Sequence, residues 1–293
     1  MPPSHSGIAP VLRTGPLWLA GSIPAGGVLN KKLIGSVECS IEKIHKELTN
    51  LIIMNSYRIS FENFLRCTNE KEILLASMSD YIKKLKIKSL LDIGAGNGDI
   101  AIPLSRMVDS YMAVEKNENF VKKLSSKKIN VIKANFPEEK FKLKKKFDLV
   151  LCSYVIPHNK DFKKFISEAW EYINSGGHLL IITHSRSRDE CGKFFKKIKF
   201  KNFWDNPSFF PRLINYLKIL GKVSVKEVMS TIRSVDLHEF FSALAFIASG
   251  GESDKEKLFY KKKEEIEKVI KRDYKKEIYE FPLKHYFILC NKP

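Results

Sequence analysis

The chain has 293 residues, 44% of them hydrophobic, enough to bury a full core in one domain with appendages. Its formal charge of +18 is carried almost wholly by Lys, spread over 83–88, 122–128, 142–146, 193–201 and 255–276, with only nine Arg. Readers of bases and phosphates favour Arg forks interleaved with aromatics, so the charge reads as a solvated lysine coat with weak attraction to polyanions, not as a nucleic-acid interface.

Residues 1–30 hold Arg13 as their only charge, and Pro and Gly interrupt the short run Leu17–Ala20. That composition suits a disordered leader or an appended extension rather than a signal segment. Residues 31–86 read as a helical lid, with Ile41, Ile44, Leu48, Leu51 and Ile52 at helical spacing. Within it, Tyr57, Phe61, Phe64 and Leu65 follow i, i+4, i+7 spacing and are expected to form a core stripe. Glu70, read by itself, caps or decorates a helix.

Residues 87–293 read as the catalytic domain. In Leu90-Leu-Asp92-Ile-Gly94-Ala-Gly96-Asn-Gly98, an apolar strand ends in an acid, and alternate glycines lead to a helix expected near Asp99. Glycines allow a sharp turn and close backbone approach to a ligand. A second strand, Tyr111–Glu115, ends in an acid placed to accept hydrogen bonds from ribose hydroxyls. A third, Ile129–Lys133, leads to Ala134-Asn135-Phe136-Pro137. A fourth, Phe147–Ser153, continues into Tyr154-Val-Ile-Pro-His158, and Gly176–Ile182 supplies a turn and a fifth. Five strands separated by helix-length segments give a doubly wound α/β sheet with its ligand at the carboxyl ends of the strands. Beyond them lie a strand at Lys222–Met229, a helical insertion around 230–275 and a closing strand at Tyr279–Asn291. The five cysteines (39, 67, 152, 191 and 290) form no C-x-x-C pair and have no His at zinc-ligand spacing. They imply free thiols in a cytoplasmic setting and no metal. No run reaches membrane-span length.

The D-x-G-x-G-x-G form of Asp92–Gly98 resembles the first motif of class I S-adenosylmethionine-dependent methyltransferases, and Phe147–His158 resembles their F-D-x-V-x-x-x-x-x-L-x-H segment. Tyr57-x-x-Ser60-Phe61-x-x-Phe64-Leu65, followed by Glu70, is similar to the amino-terminal lid of the histamine N-methyltransferase-like members. The resemblance implies a Rossmann-like seven-stranded sheet with its last strand antiparallel. It implies S-adenosyl-L-methionine as cofactor and S-adenosyl-L-homocysteine as product. The cofactor would be held by Asp92, Gly94, Ala95, Gly96, Asn97, Gly98, Glu115, Lys116, Asn135, Phe136 and Ser153. Asn135 would meet the adenine amino group and Phe136 would pack on its ring. Glu70 would anchor an amine substrate, with Tyr154 and His158 beside the reactive sulfonium; His158 equally fits a role stacking on the cofactor. His184 is a weaker pocket candidate and His178 a structural one. Where these relatives carry an asparagine before the last strand, this chain has about Leu283, with His285 nearby, which points to a related amine rather than histamine itself.

The reading is thus a monomeric methyltransferase of a small molecule, N-methylating an amine. An RNA methyltransferase is the alternative, although Ser153-Tyr-Val-Ile156 lacks the paired prolines that often accompany an aromatic stacking on an extruded base. A non-catalytic cofactor-binding module conflicts with an intact loop, and a nicotinamide oxidoreductase conflicts with Asp92 and the glycine spacing.

Overall fold

The computed structural model describes residues 59–139, 143, 145–159, 161–184, 189–201, 206–250, 252–273 and 277–293, all of them in the unit Ile52–Pro293. The expected leader, the first part of the lid and Tyr57 lie outside the described residues, as does the side chain of His158.

The central strand β1 (Ser89–Ile93) is buried along its whole length. A parallel strand covered on both faces needs such a run of non-alternating residues. It pairs in parallel with β2 (Ser110–Glu115) on one side and β4 (Phe147–Ser153) on the other. Beyond β2 lies β3 (Val131–Lys133), and beyond β4 lies β5 (Ile173–Thr183). The sheet is completed by β7 (Tyr279–Asn291), inserted antiparallel between β5 and β6 (Lys222–Ser234), giving the order β3-β2-β1-β4-β5-β7-β6. The expected doubly wound sheet with an antiparallel last strand is present. The chain winds outward from β1 to β3, then restarts at β4 on the other side of β1. The carboxyl ends of β1 and β4 therefore flank the switch point, where crossovers diverge and leave a crevice.

Helices α1 (Glu70–Lys84), α2 (Ala101–Ser105), α3 (Glu118–Ser126), α4 (Phe162–Glu171), α5 (Glu190–Lys197) and α6 (Phe209–Leu220) accompany the sheet. One apolar cluster joins Leu91, Val150, Phe165 and Ile181, and another joins Leu74, Leu90, Leu104, Leu180 and Phe287. Alternate residues of one strand thus serve opposite faces. The insertion between β6 and β7 forms α7 (Leu237–Ser249), α8 (Ser253–Lys261) and α9 (Lys263–Asp273). Its phenylalanines Phe240, Phe241 and Phe259 join Phe64 and Phe281 in a third cluster. Asp236 caps α7, accepting from the Glu239 N–H at 2.9 Å, a contact worth about 1 kcal/mol.

Several boundaries differ from the sequence expectation. The helix after the glycines starts at Ala101, not Asp99, and has five residues. Pro103 explains this, because a proline is tolerated only in the first turn. Strand β6 runs on to Ser234, with Val228, Ser230, Ile232 and Ser234 buried in alternation. Two serines on the inner face hide that period from a hydrophobicity pattern. The charged segment 254–273 is two helices, broken at Lys262. Strand β7 has the expected bounds, and Leu283 and His285 lie inside it. No helix among the described residues is long and apolar enough to cross a membrane, and Cys67, Cys152, Cys191 and Cys290 are buried.

Candidate active site

The glycine loop leaves β1 at the switch point and is tied to the end of β2. The N–H groups of Gly94 and Ala95 donate to the Val114 carbonyl at 2.7 and 3.3 Å. Glu115 accepts from the Gly96 N–H at 2.9 Å through Oε2 and from the Asn117 N–H at 2.8 Å through Oε1. Each carboxylate oxygen has a further lone pair, so Glu115 can hold the loop and still accept from a ligand hydroxyl. A Cβ on Gly94 would stand 2.2 Å from Val155 Cγ1, so β1 and the turn after β4 approach this closely only with glycine there. At Gly96, with φ +61°, a Cβ would meet nothing within 4 Å; the backbone itself faces open space.

Two cavities meet at Gly94. One, of ≈ 190 Å³, is lined by Val114, Glu115, Lys116, Asn135, Phe136 and Phe165, among others. The Phe136 ring stands edge-on to Phe165 with centroids 4.8 Å apart. The second, of ≈ 340 Å³, takes in Asp92, Ala95, Gly96, Asn97, Ser153 and Tyr154, then Glu70, Phe61, Phe64, His184, Phe246 and Ile247. Gly98 faces neither; its α-carbon packs toward Ile102 and Leu124 at the base of the loop.

Asp92 ends β1, 2% exposed, and accepts from the Tyr111 hydroxyl at 2.6 Å. Burial pushes its carboxyl up to about 6; the Tyr111 hydrogen bond opposes this and the Glu115 charge adds to it. An acid held so dry gains from a cationic group arriving in the adjoining cavity.

Tyr154 follows β4 in a left-handed conformation (φ +58°), which a residue with a Cβ adopts at a cost of about 1–2 kcal/mol. Its N–H donates to the Ile182 carbonyl at 2.9 Å. Its ring stacks on His184 with centroids 4.6 Å apart, and its hydroxyl lies 2.6 Å from His285 Nδ1. His285 Nε2 in turn meets Ser230 Oγ at 2.6 Å. Glu70, 5% exposed, begins α1. Its neighbour Asn69 is clamped to β6: the Asn69 N–H donates to the Thr231 carbonyl, and the Thr231 N–H donates to Asn69 Oδ1 at 2.8 Å.

The structure therefore gathers Glu70, Tyr154 and the loop residues around one cavity, and groups Glu115, Lys116, Asn135 and Phe136 around the other. Phe61 and Phe64, expected as core stripe, are also cavity wall, where both rings pack against Phe246 with centroids 5.3 and 5.1 Å apart. Sequence reasoning missed Phe246, which sits in an apolar helix that reads as core, and undervalued His184 and His285. His178 lies in the middle of β5, away from the cavity, with Nδ1 3.0 Å from Asn291 Oδ1.

The residues fit a ligand with an adenosine at one end and a cationic amino-acid moiety at the other. A narrow cavity with an acceptor carboxylate and aromatic rings adjoins a buried acid, joined by a glycine turn without side chains.

Comparison with known families matches residues 61–222 to the family described as "Methyltransferase domain". Among curated proteins, the chain is similar to ubiquinone biosynthesis O-methyltransferases. It is 26% identical over 130 residues to that of Rickettsia canadensis, covering 42% of this chain and 55% of the relative. It is 31% identical over 110 residues to that of Pelagibacter ubique, covering 36% and 45%. The chain thus spans about half the length of these relatives. Among solved structures, the YcgJ protein of Bacillus subtilis aligns with a TM-score of 0.51 at 18% identity, over 74% of this chain and 97% of that one. From the sheet order, the loop between β1 and α2 and the family match over more than half of its length, the chain belongs to the methyltransferase-domain family.

Proposed function

We propose that the protein methylates a heteroatom of a small aromatic molecule, a hydroxyl in the first instance, by in-line displacement. The observation that carries this reading is the second cavity. It opens directly from the glycine loop, is walled by Phe61, Phe64 and Phe246, and presents Glu70, Tyr154 and His184. Aromatic walls suit a planar ring, and the polar cluster suits a heteroatom that must lose or lack a proton before attack. The O-methyltransferase names of the sequence relatives support a hydroxyl acceptor. The amine expected from the sequence remains a second reading, favoured by the buried Glu70 carboxylate, which would orient an ammonium.

In this reading residues 87–293 form the catalytic domain, the helices before them and the insertion around 230–275 close over it, and a monomer in the cytoplasm suffices. Glu115, Asn135 and Phe136 hold the adenosine; Asp92 and the backbone of Ala95–Asn97 hold the amino-acid end. Bound S-adenosylmethionine supplies a methyl group on an electrophilic sulfonium. Phe61, Phe64 and Phe246 exclude water and fix the acceptor ring, while Glu70 and the Tyr154 hydroxyl orient its heteroatom. Such positioning contributes about 7–11 kcal/mol toward the barrier. A side chain accepting the acceptor's proton adds about 10²–10⁴-fold. A methyl-transfer screen over phenols, catechols, arylamines, aliphatic amines and RNA tests the reading. Turnover confined to the ring-bearing hydroxyl or amine compounds supports it; turnover of RNA alone overturns it.

A further inference from the structure

We propose that Glu70, His184 and His285 form a binding site for a divalent transition-metal cation of the zinc type, set in the wall of the acceptor cavity; this rests on the small-molecule reading above and adds a ligand to it. The three side chains come from α1, the end of β5 and the middle of β7. Each offers one ligand atom, and those atoms lie within 4.8 Å of one another. All three residues are buried, at 5%, 7% and 0% exposure. One carboxylate and two imidazoles are the donor set of open zinc sites and of iron(II) sites, with further positions left for water or substrate. Metal–ligand bonds of about 2.1 Å place neighbouring donors about 3–3.5 Å apart, so the three side chains would draw together on binding the ion.

The surroundings of the two imidazoles have the form that metal-bound histidines require. His184 Nδ1 lies 3.2 Å from the Lys284 carbonyl oxygen. A carbonyl only accepts, so Nδ1 carries the hydrogen, and Nε2 is the nitrogen through which the neutral ring would bind an ion. His285 Nε2 is held by Ser230 Oγ, leaving Nδ1 turned toward the Tyr154 hydroxyl at the cavity edge. A carbonyl on the far nitrogen fixes the tautomer and the aim of the His184 ring, and a hydroxyl, which donates or accepts, holds the aim of the His285 ring. A cation at Nδ1 would displace the Tyr154 hydroxyl or take it as a further ligand. Since Glu70, Tyr154 and His184 all line the cavity, the open coordination position faces the acceptor, where a bound hydroxyl would become more acidic.

The test uses untagged full-length protein dialysed against Zn²⁺ or Co²⁺ and then freed of excess ion. Bound metal is counted by mass spectrometry, and Co²⁺ is read by its visible ligand-field absorption. S-adenosylhomocysteine titration is run on every sample as a check of the fold and of the cofactor site. The expectation is one ion per chain in the wild type. Glu70→Gln and His184→Ala should each lower Co²⁺ affinity by at least about 100-fold, and Ser230→Ala by about 10-fold, with S-adenosylhomocysteine binding retained. Wild-type protein that binds S-adenosylhomocysteine but retains no metal overturns the proposal. So does metal affinity that is the same in Glu70→Gln and His184→Ala as in the wild type. Metal retained through these three residues without S-adenosylhomocysteine binding upholds the site and instead overturns the cofactor reading.

Discussion

Replacing Asp92 by Asn should make the free protein more stable at neutral pH while weakening its hold on the cofactor. The carboxyl is fully enclosed, and burial raises its pKa from 3.8 to about 6. At 1.36 kcal/mol for each tenfold change in the equilibrium, that difference amounts to about 3 kcal/mol. Because the folded value lies above the unfolded one, the wild type is unburdened below pH 3.8. It loses stability as pH rises toward 6 and carries the full cost above that. The substituted amide does not titrate, and its side-chain oxygen can still accept from the Tyr111 hydroxyl. The stability of Asp92→Asn relative to wild type should therefore climb by about 2.4 kcal/mol between pH 4 and pH 7, the rest of the cost having set in below pH 4. Any fixed loss from the unpaired amide offsets both ends equally. Urea titrations of cofactor-free protein, with a chelator present, give this difference directly. A difference that stays constant across the range would refute the assignment of a dry, strained charge at the end of β1. The ammonium of S-adenosylhomocysteine binds the ionised form, so wild-type affinity should fall about tenfold from pH 7.5 to pH 5, following from the same pKa of about 6. In Asp92→Asn that dependence should disappear.

Gly96→Val places a β-branched side chain at φ +61° with its Cβ in the open space of the loop. It should cost about 1–3 kcal/mol of stability and abolish S-adenosylhomocysteine binding by calorimetry; retained affinity would mean that the loop does not hold the cofactor. Glu70→Gln should leave S-adenosylhomocysteine affinity unchanged and lower turnover of the acceptor, whereas equal loss of both would make Glu70 structural. Tyr154→Phe removes the hydroxyl at 2.6 Å from His285. It should cost about 1–3 kcal/mol in chemical denaturation and reduce kcat with little change in S-adenosylhomocysteine affinity. An unchanged kcat would exclude this hydroxyl from orienting the acceptor.

The glycine loop and the strands around it were legible because their signals are local. Asp92, the alternate glycines and Glu115 lie within one strand–turn–helix–strand unit, and the backbone geometry they need can be read from residue type alone. The parallel strands announced themselves as apolar runs. Boundaries failed where packing overrode pattern, as in β6, whose inward serines Ser230 and Ser234 carry no hydrophobic period. The acceptor half was not legible in the same way. Phe61, Phe64 and Phe246 have helical spacing whether they face a core or a cavity, and only the closure of the insertion against the first helices makes them a wall. Glu70, His184 and His285 are far apart in the chain, so no spacing rule connects them. They meet because β7 returns antiparallel beside β5 and because Asn69 pins the start of α1 to β6. By itself the sequence determined the fold class and the cofactor, since both depend on short-range backbone chemistry. The cavity proposed for the methyl acceptor was left to the tertiary structure, because it is assembled from the ends of strands and helices that only the folded sheet brings together.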